Sequence, residues 1–369
     1  MTGPTAQPAG RNLVVCCDGT SNEVVGHASN VFRLFRMLER SDRQRTWYDA
    51  GVGTTADWTA HWRLRRLIHK HLDAGIGLSI RDNVLDAYRF LIAEYREGDA
   101  IWLFGFSRGA YTVRVLAALL KLCGLLRPED AHLAEYAWAV ATDEDRSGDA
   151  RAQFGGAARI NKVFGRDVRV HFVGVWDTVS AFGWIWDLLT IPHTTRNDLI
   201  DHLRHAVSLD ERRIAFRPSL ALRAGDAQDL KEVWFAGVHS DVGGGYPDQE
   251  AGLARIALRW MLAEARALGL RTDRAAEEEQ LGRMGVEGQA DALGPAHDEA
   301  RKLHWRLLTW LPRRAWSAAH ERRTWSWPNW ARLRKLPAGL RVHASVRERL
   351  AAPALGYRRR LPQDVRWEE

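Results

Sequence analysis

The stretch "IWLFGFSRGAYTVRVLAALLKL", residues 101–122, combines three features that decide the fold. Its first four residues are a short apolar run, which is typical of a central parallel strand. Residues 105–109 then form a tight turn around Ser107, and the apolar residues that follow have helical spacing. The stretch therefore predicts a strand, a turn and a helix in succession, which is the setting of a Gly-x-Ser-x-Gly nucleophile elbow.

In such an elbow the serine hydroxyl is exposed on a sharp turn, and the following helix points its positive end at it. The backbone N–H of the next residue, Arg108, then donates to the oxyanion that forms during acyl transfer. For a second donor we expect Gly19 or Thr20, in the polar turn after the first predicted strand. Asp18 in that turn is equally well explained as a turn-forming residue before glycine.

A serine nucleophile needs a base, and the base needs a carboxylate that orients it. Asp177 ends the predicted strand "VRVHFVGVWD", residues 168–177, and His239 lies near the end of the predicted strand in residues 230–246. Open α/β sheets place their sites at these strand ends. The order Ser107, Asp177, His239 is also the chain order of the α/β-hydrolase triad, so we predict these three residues as the catalytic set.

Two alternatives remain open at this point. His205 is the second candidate for the base among the fourteen histidines of the chain. Asp241 is the second candidate for the acid, although a position two residues after the base suits a turn cap better than a partner for the imidazole.

The elements around the elbow predict an α/β fold, with a mostly parallel sheet flanked by helices as in α/β-hydrolases. A strand is expected at residues 13–17, and a second short strand that runs into a glycine loop is expected within residues 46–54. Helices are expected at residues 31–38, 81–97 and 253–270. Residues 182–203 are first aromatic and then helical in pattern, and we expect them to form a helical cap over the pocket.

A chain of 369 residues with 46% hydrophobic residues can bury a large core. We divide it into a disordered leader at residues 1–11, a catalytic domain at residues 12–270, and a linker with a C-terminal region at residues 271–369 that packs on the catalytic domain. No internal repeat interrupts this order.

The basic character of the chain is concentrated near its end. The net charge is +7, and residues 301–369, the basic tail, hold 17 Lys and Arg against 5 Asp and Glu. The basic tail also holds seven of the seventeen tryptophans. Interleaved Trp and Arg suit contact with an anionic membrane surface. A solvated basic face is the slightly favoured explanation, because Arg is frequent throughout the chain, and nucleic acid is the less favoured partner.

Other functions find little support in the sequence. Cys16, Cys17 and Cys123 have neither disulfide nor metal-ligand spacing, and we expect reduced core residues. The glycines of residues 242–247 lack the Lys-Ser/Thr of a phosphate-binding loop, so no cofactor is expected. No residue is assigned to a metal site, and a metal requirement is left open. Without a signal peptide or an apolar run of membrane-spanning length, a cytoplasmic protein is expected, with signal-independent secretion left open. The oligomeric state is left open too.

Several blocks in order resemble the DUF2235 family, which includes the Tle1-type phospholipase effectors of bacterial type VI secretion. They are "VVCCDGTSN", "YDAGVGT", "GDAIWLFGFSRGAYTVR", "VGVWDTVSAFG", "HAVSLDERRIAFRP" and "WFAGVHSDVGGGY", within residues 12–265. The resemblance implies an α/β-hydrolase-like fold and places the family's serine, aspartate and histidine on Ser107, Asp177 and His239.

The resulting hypothesis is a serine hydrolase that cleaves carboxylic esters through an acyl-enzyme. The resemblance favours a lipid or phospholipid acyl ester as the substrate, with a small soluble ester as the alternative. The competing hypothesis is a non-catalytic protein that keeps the hydrolase fold and uses its basic tail to bind nucleic acid or a protein partner.

Overall fold

The structure is a computed structural model that describes residues 10–19, 27–51, 74–142, 150–179, 183–184, 187–188, 191–213, 216–281, 290–302, 313–317, 322–326 and 332–369. The α-helices, in chain order, are α1 Asn30–Met37, α2 Ala74–Glu94, α3 Arg108–Cys123, α4 Ala134–Thr142, α5 Ala150–Phe164, α6 His239–Gly243, α7 Gly252–Ala267, α8 Arg274–Leu281 and α9 Ser345–Leu350. The strands are β1 Asn12–Cys17, β2 Gln44–Asp49, β3 Ala100–Phe106, β4 Leu125–Leu126, β5 Gly165–Arg166, β6 Val170–Trp176, β7 Gly183–Trp184, β8 Asp187–Leu188, β9 Ile200–Ser208, β10 Asp229–Phe235, β11 Arg313–Ser317, β12 Arg322–Ser326, β13 Arg341–His343 and β14 Arg366–Glu368.

Eight strands form one sheet in the order β14-β13-β10-β9-β6-β3-β1-β2. Every neighbouring pair in this sheet runs parallel. The chain goes from β1 outward to β2 and then returns to β3 on the other side of β1. The strand order therefore reverses between β1 and β3, and an open α/β sheet forms its crevice at the carboxyl ends beside such a reversal.

The apolar run of β1 is continuous because both faces of the sheet are covered. Leu13 and Val15 belong to a core that also contains residues of α2, α3 and α4. Val14 and Cys16 belong to the core on the opposite face, with residues of α1 and α7. A parallel strand buried on both faces has this near-continuous hydrophobic pattern.

The α/β fold with a parallel sheet flanked by helices is confirmed, and so are the strand at residues 13–17 and the helix at 31–38. The strand expected at the start of residues 46–54 is β2, which ends at Asp49, and residues 52–54 lie outside the described residues. The predicted helix at 81–97 begins earlier, as α2, and the one at 253–270 is α7. The strand before His239 ends at Phe235, so His239 is the first residue of the short helix α6. All three cysteines are free and buried.

The helical cap expected at residues 182–203 is wrong for its second half, because Ile200 begins the central strand β9. The sequence of β9 hides a strand because it contains His202, Arg204 and His205 between apolar residues. These polar side chains are buried next to carboxylates, as for Arg204 with Glu264 at 2.5 Å. Buried charges are tolerated when they are paired in this way. Gly183–Trp184 and Asp187–Leu188 are short strands, and residues 180–182, 185–186 and 189–190 lie outside the described residues.

The C-terminal region contributes to the main sheet through β13, which pairs with β10, and through β14, which pairs with β13. A second sheet, β12-β11-β8-β7, joins this region to the segment after β6. At the other end, residues 1–9 of the expected leader lie outside the described residues, while Arg11 donates to Asp99 from its backbone and its side chain. No helix within the described ranges has both the length and the apolar character needed to cross a membrane.

Candidate active site

Ser107 sits on a sharp turn between β3 and α3, with a positive φ of 58° and ψ of −119°. This backbone region is costly for a residue with a side chain. The flanking glycines are needed because a Cβ at Gly105 would lie 2.5 Å from the carbonyl oxygen of Gly109. A Cβ at Gly109 would in turn lie 2.1 Å from the carbonyl oxygen of Cys17, at the end of β1. The Gly-x-Ser-x-Gly spacing therefore lets the elbow pack against the neighbouring strand end.

The three residues predicted as the catalytic set meet at the carboxyl ends of β3, β6 and β10. Ser107 Oγ lies 2.8 Å from His239 Nε2, and His239 Nδ1 lies 2.6 Å from Asp177 Oδ2. Both distances are within hydrogen-bonding range, and the two ring nitrogens face different partners. Asp177 is fully buried, whereas Ser107 remains 8% exposed. In this arrangement the imidazole can accept a proton from the serine while the carboxylate fixes its orientation.

The imidazole of His239 is held between two aromatic rings. Phe106 lies 4.6 Å from it between ring centroids, and Phe216 meets it edge-on at 4.7 Å. Burial lowers the pKa of His239 below its ordinary value, and the hydrogen bond and charge of Asp177 oppose that change. The neutral imidazole is therefore favoured in the resting protein, which is the form that acts as a base.

Asp177 is surrounded by donors. Its Oδ1 accepts from the backbone N–H of Ser208 at 2.9 Å and from the hydroxyl of the same residue at 3.1 Å. The guanidinium of Arg334 donates to both carboxylate oxygens, at 2.5 Å to Oδ1 and 3.0 Å to Oδ2. Burial alone would raise the pKa of Asp177, but the charge of Arg334 and the contact with His239 outweigh it and hold this pKa well below its usual range. Asp177 is thus an ionised partner for the histidine.

The two rival residues have other partners. His205 is fully buried, with Nδ1 3.0 Å from Glu232 Oε2 and Nε2 accepting from the backbone N–H of Thr178 at 3.1 Å. Asp241 accepts from the backbone N–H of Val238 at 2.9 Å, at the start of α6, and lies 2.7 Å from His297 Nδ1. Neither side chain contacts the imidazole of His239 in these hydrogen bonds.

The expected oxyanion donors have different outcomes. Arg108 is the first residue of α3, so its N–H belongs to the positive end of that helix. The amide of Gly19 donates to Asp18 Oδ1 at 2.6 Å, so the expectation that it faces an oxyanion is not met in this arrangement. Asp18 also accepts from the hydroxyls of Ser29 and Tyr48, as a turn-organising residue would. Thr20 lies outside the described residues.

The sequence did not reveal three side chains that surround the site. Glu211 accepts from the backbone N–H of His239 at 3.2 Å and forms an ion pair with Arg213, whose guanidinium lies over the ring of Phe216. Both residues lie in the block "HAVSLDERRIAFRP", where their charges could have marked them. Arg334 had no such signal, because it is one of 17 basic residues in the tail. Among the described residues, no group of three or more His, Cys, Asp or Glu is arranged to hold a metal ion.

A parallel α/β sheet with a serine elbow, a histidine and an aspartate at its carboxyl ends defines the class of α/β-hydrolase-like proteins. Within this class, the catalytic-domain model of the family described as "T6SS, Phospholipase effector Tle1-like" matches residues 11–264. The chain therefore belongs to the Tle1-like phospholipase effector family.

Known proteins resemble parts of this chain. It is 34% identical over 221 residues to the uncharacterized protein YEL023C of Saccharomyces cerevisiae. The aligned region covers 57% of this chain and 32% of the yeast protein. The chain thus spans about a third of the length of this curated relative.

Two solved structures are similar at lower levels. An uncharacterized protein from Pseudomonas aeruginosa shares 19% identity at a TM-score of 0.42, over 76% of this chain and 48% of that one. A metagenomic carboxyl esterase shares 12% identity at a TM-score of 0.28, over 73% of this chain and 76% of that one. Because both TM-scores are below 0.5, neither likeness bears on the function of this chain.

Proposed function

We propose that this protein is a serine hydrolase that cleaves carboxylic esters through an acyl-enzyme, with lipid or phospholipid acyl esters as its substrates. The observation that carries the proposal is the pair of close contacts that connects Ser107, on its strained elbow, with His239 and His239 with Asp177. Membership of a phospholipase effector family supports the choice of substrate.

In the proposed reaction, Ser107 Oγ attacks the ester carbonyl carbon while His239 Nε2 takes the hydroxyl proton. The oxyanion of the tetrahedral intermediate accepts from the N–H of Arg108 at the start of α3. The intermediate collapses, the bond to the alcohol breaks, and His239 returns its proton to the leaving oxygen. Water then attacks the acyl-serine with the same base, which releases the carboxylic acid and restores Ser107.

Asp177 supports both steps without changing its protonation state. Its Oδ2 holds the N–H at Nδ1 of His239, so the lone pair of Nε2 faces the serine. The ionised carboxylate also stabilises the imidazolium that forms when the serine loses its proton. Burial of the whole series strengthens these charge interactions because water does not screen them.

The test is to compare the wild type with Ser107→Ala and with Ser41→Ala as a matched control. Ser41 lies before the amino end of the edge strand β2, whereas the site lies at the carboxyl ends of the strands. Each protein is treated with a fluorophosphonate probe and assayed on p-nitrophenyl butyrate. We expect labelling and hydrolysis in the wild type and in Ser41→Ala. Loss of such a nucleophile lowers turnover by roughly 10⁶-fold, so Ser107→Ala should be inactive.

A panel of vesicle substrates follows, with phosphatidylethanolamine, phosphatidylglycerol and triacylglycerol. Release of fatty acid from the phospholipids supports the substrate class, whereas hydrolysis of the short ester alone restricts the activity to small soluble esters. Hydrolysis that persists in Ser107→Ala removes this serine from the mechanism. A wild type that is neither labelled nor active would instead favour a non-catalytic binding protein.

A further inference from the structure

Arg334 comes from the C-terminal region, far in sequence from the site that it reaches. It is 157 residues after Asp177 in the chain. It also lies outside residues 11–264, which match the catalytic-domain family. Its side chain is nevertheless only 6% exposed and Asp177 is fully buried, so the contact between them is shielded from water.

We propose that Arg334 is a positioning residue of the active site, which fixes the carboxylate of Asp177 and thereby the orientation of the His239 imidazole. The inference rests on the proposed function, because it takes Asp177 as the acid of the catalytic set. It adds that the C-terminal region is a working part of the hydrolase and that residues 11–264 alone form an incomplete site.

The geometry of the contact supports positioning. Arg334 Nη1 and Nη2 each donate to one carboxylate oxygen of Asp177, which is the bidentate pairing that a planar guanidinium and a carboxylate form. The same oxygen Oδ2 that accepts from Nη2 also lies 2.6 Å from His239 Nδ1. A rotation of the carboxylate would therefore break the contact with arginine and the contact with histidine together.

Further bonds fix the guanidinium itself. Nη1 donates to the backbone carbonyl of Ser208 at 2.9 Å and to its hydroxyl at 2.6 Å. Nη2 donates to the backbone carbonyl of Phe216, the residue whose ring meets the imidazole edge-on. One side chain thus connects three elements of the site: the turn after β6, the end of β9 and the loop that carries Phe216.

The backbone around Arg334 is held by another part of the tail. Arg359 donates to the carbonyl oxygen of Arg334 at 3.0 Å. Tyr357 donates to Asp210 Oδ2 at 2.9 Å, and the same carboxylate oxygen accepts from the N–H of Gly237, two residues before His239. The C-terminal region therefore contacts Asp177 directly, and it is connected through Asp210 to the loop that precedes His239.

A role in folding alone would leave a different signature. A salt bridge that only stabilises the fold changes the melting temperature and leaves the turnover of the remaining folded molecules unchanged. A positioning residue changes kcat with little change in KM, because it acts on the geometry of the reaction and not on substrate binding. Removal of the positive charge of Arg334 by substitution also raises the proton affinity of the Asp177 and His239 pair. The other charged groups near this pair are Glu211 and Arg213.

The experiment uses the full chain and p-nitrophenyl butyrate, with Arg334→Lys, Arg334→Gln and Arg334→Ala. Lys335→Gln is the matched control, because it removes an exposed positive charge one residue further along the chain. We expect kcat to fall roughly 10- to 10²-fold in the three Arg334 variants while KM stays within about threefold. The acid limb of the kcat/KM profile should move to higher pH in Arg334→Gln and stay near the wild type in Arg334→Lys, which keeps the charge.

Chemical rescue gives a readout that a structural role would not move. Arg334→Ala leaves space for a small cation, so millimolar methylguanidinium should restore part of its kcat and should not affect Lys335→Gln or Ser107→Ala. Recovered activity without a change in melting temperature supports the proposal.

The inference would be overturned if Arg334→Lys and Arg334→Gln had the kcat and KM of the wild type and the same acid limb in the pH profile of kcat/KM. If Arg334→Gln does not fold, Arg334→Lys decides, since an unchanged kcat in that variant overturns the proposal and a reduced kcat at constant KM supports it. These outcomes differ from a failure of the proposed function, in which the wild type itself is inactive or Ser107→Ala keeps full activity.

Discussion

Gly109 packs against the carbonyl group of Cys17, so close that a Cβ at this position would lie 2.1 Å from the carbonyl oxygen. The contact joins the first turn of α3 to the end of β1, on the two sides of the point where the strand order reverses. It thus sets the distance between the elbow that carries Ser107 and the neighbouring strand end.

Gly109→Ala should therefore lower both stability and activity. The backbone cannot yield as a flexible side chain does, and overpacking of this kind costs about 1–3 kcal/mol in the free energy of unfolding. A shift of the serine by about 1 Å is enough to lower kcat roughly 10²-fold. Urea unfolding and hydrolysis of p-nitrophenyl butyrate measure the two effects.

Gly155→Ala is the control for this substitution. Gly155 lies within α5, and a Cβ there would meet no atom within 4 Å. Because alanine favours a helix over glycine by about 1 kcal/mol, this variant should be slightly more stable and fully active. A Gly109→Ala protein that behaves like Gly155→Ala would contradict the role of the Cys17 contact.

The acid of the catalytic set can be tested by two matched amide substitutions. Asp177→Asn removes the charge that faces Nδ1 of His239, and such a change lowers kcat by about 10⁴-fold in serine proteases. Asp241→Asn should keep kcat within about tenfold, because Asp241 contacts His297 and the backbone at the start of α6 instead. A greater loss in Asp241→Asn than in Asp177→Asn would reverse the assignment.

His297 should stabilise the fold only at lower pH. Its Nδ1 lies 2.7 Å from Asp241 Oδ1 and its Nε2 lies 3.0 Å from Glu250 Oε2, and these hydrogen bonds raise the pKa of His297 above its ordinary value. A pKa that is higher in the folded than in the unfolded chain adds stability below the unfolded value of about 6.5. That stability is lost as the pH rises through the folded pKa.

We therefore expect His297→Gln to destabilise the protein more at about pH 5.5 than at about pH 9. The measurement is the difference in unfolding free energy between the wild type and the variant at each pH, which cancels the other titrating groups. His132→Gln, on the 3-10 turn Pro128–Leu133, serves as the control. An equal effect of His297→Gln at both pH values would show that the histidine does not gain a proton in the folded state.

The basic tail is proposed to contact anionic membranes. Arg358, Arg360 and Arg366 are exposed, and each basic residue near an anionic surface contributes about 1 kcal/mol to binding. Replacement of all three by glutamine should therefore weaken binding to phosphatidylglycerol vesicles by roughly 10²-fold. Co-sedimentation measures this, and hydrolysis of a soluble ester should not change.

Charge substitution is a cleaner test than truncation, because removal of the tail also removes β13, β14 and Arg334. A matched triple variant at Arg43, Arg96 and Arg274, which are exposed elsewhere, controls for the loss of net charge. Equal vesicle binding by the two triple variants would contradict the proposal that Arg358, Arg360 and Arg366 contact the membrane. Tight, salt-sensitive binding to DNA would point to nucleic acid as the partner instead.

The sequence by itself determined the elbow and the strands around it, because those features depend on local chemistry. Glycines at positions 105 and 109 permit one backbone path around Ser107, and a strand buried on both faces needs an uninterrupted apolar run. The spacing also predicted Asp177 and His239 near strand ends, where parallel topology brings distant residues together.

Only the tertiary structure decided what depends on contacts between distant segments. The sequence pattern predicted a helix where the structure has β9, because Arg204 and His205 are buried there only through their carboxylate partners Glu264 and Glu232. The sequence offered Asp241 as a second candidate for the acid and His205 as a second candidate for the base. In the structure Asp241 lies beside His297, and His205 lies beside Glu232. Arg334 looked like any other arginine of a basic tail, because a charge reveals its role only when the buried carboxylate that it pairs with is known.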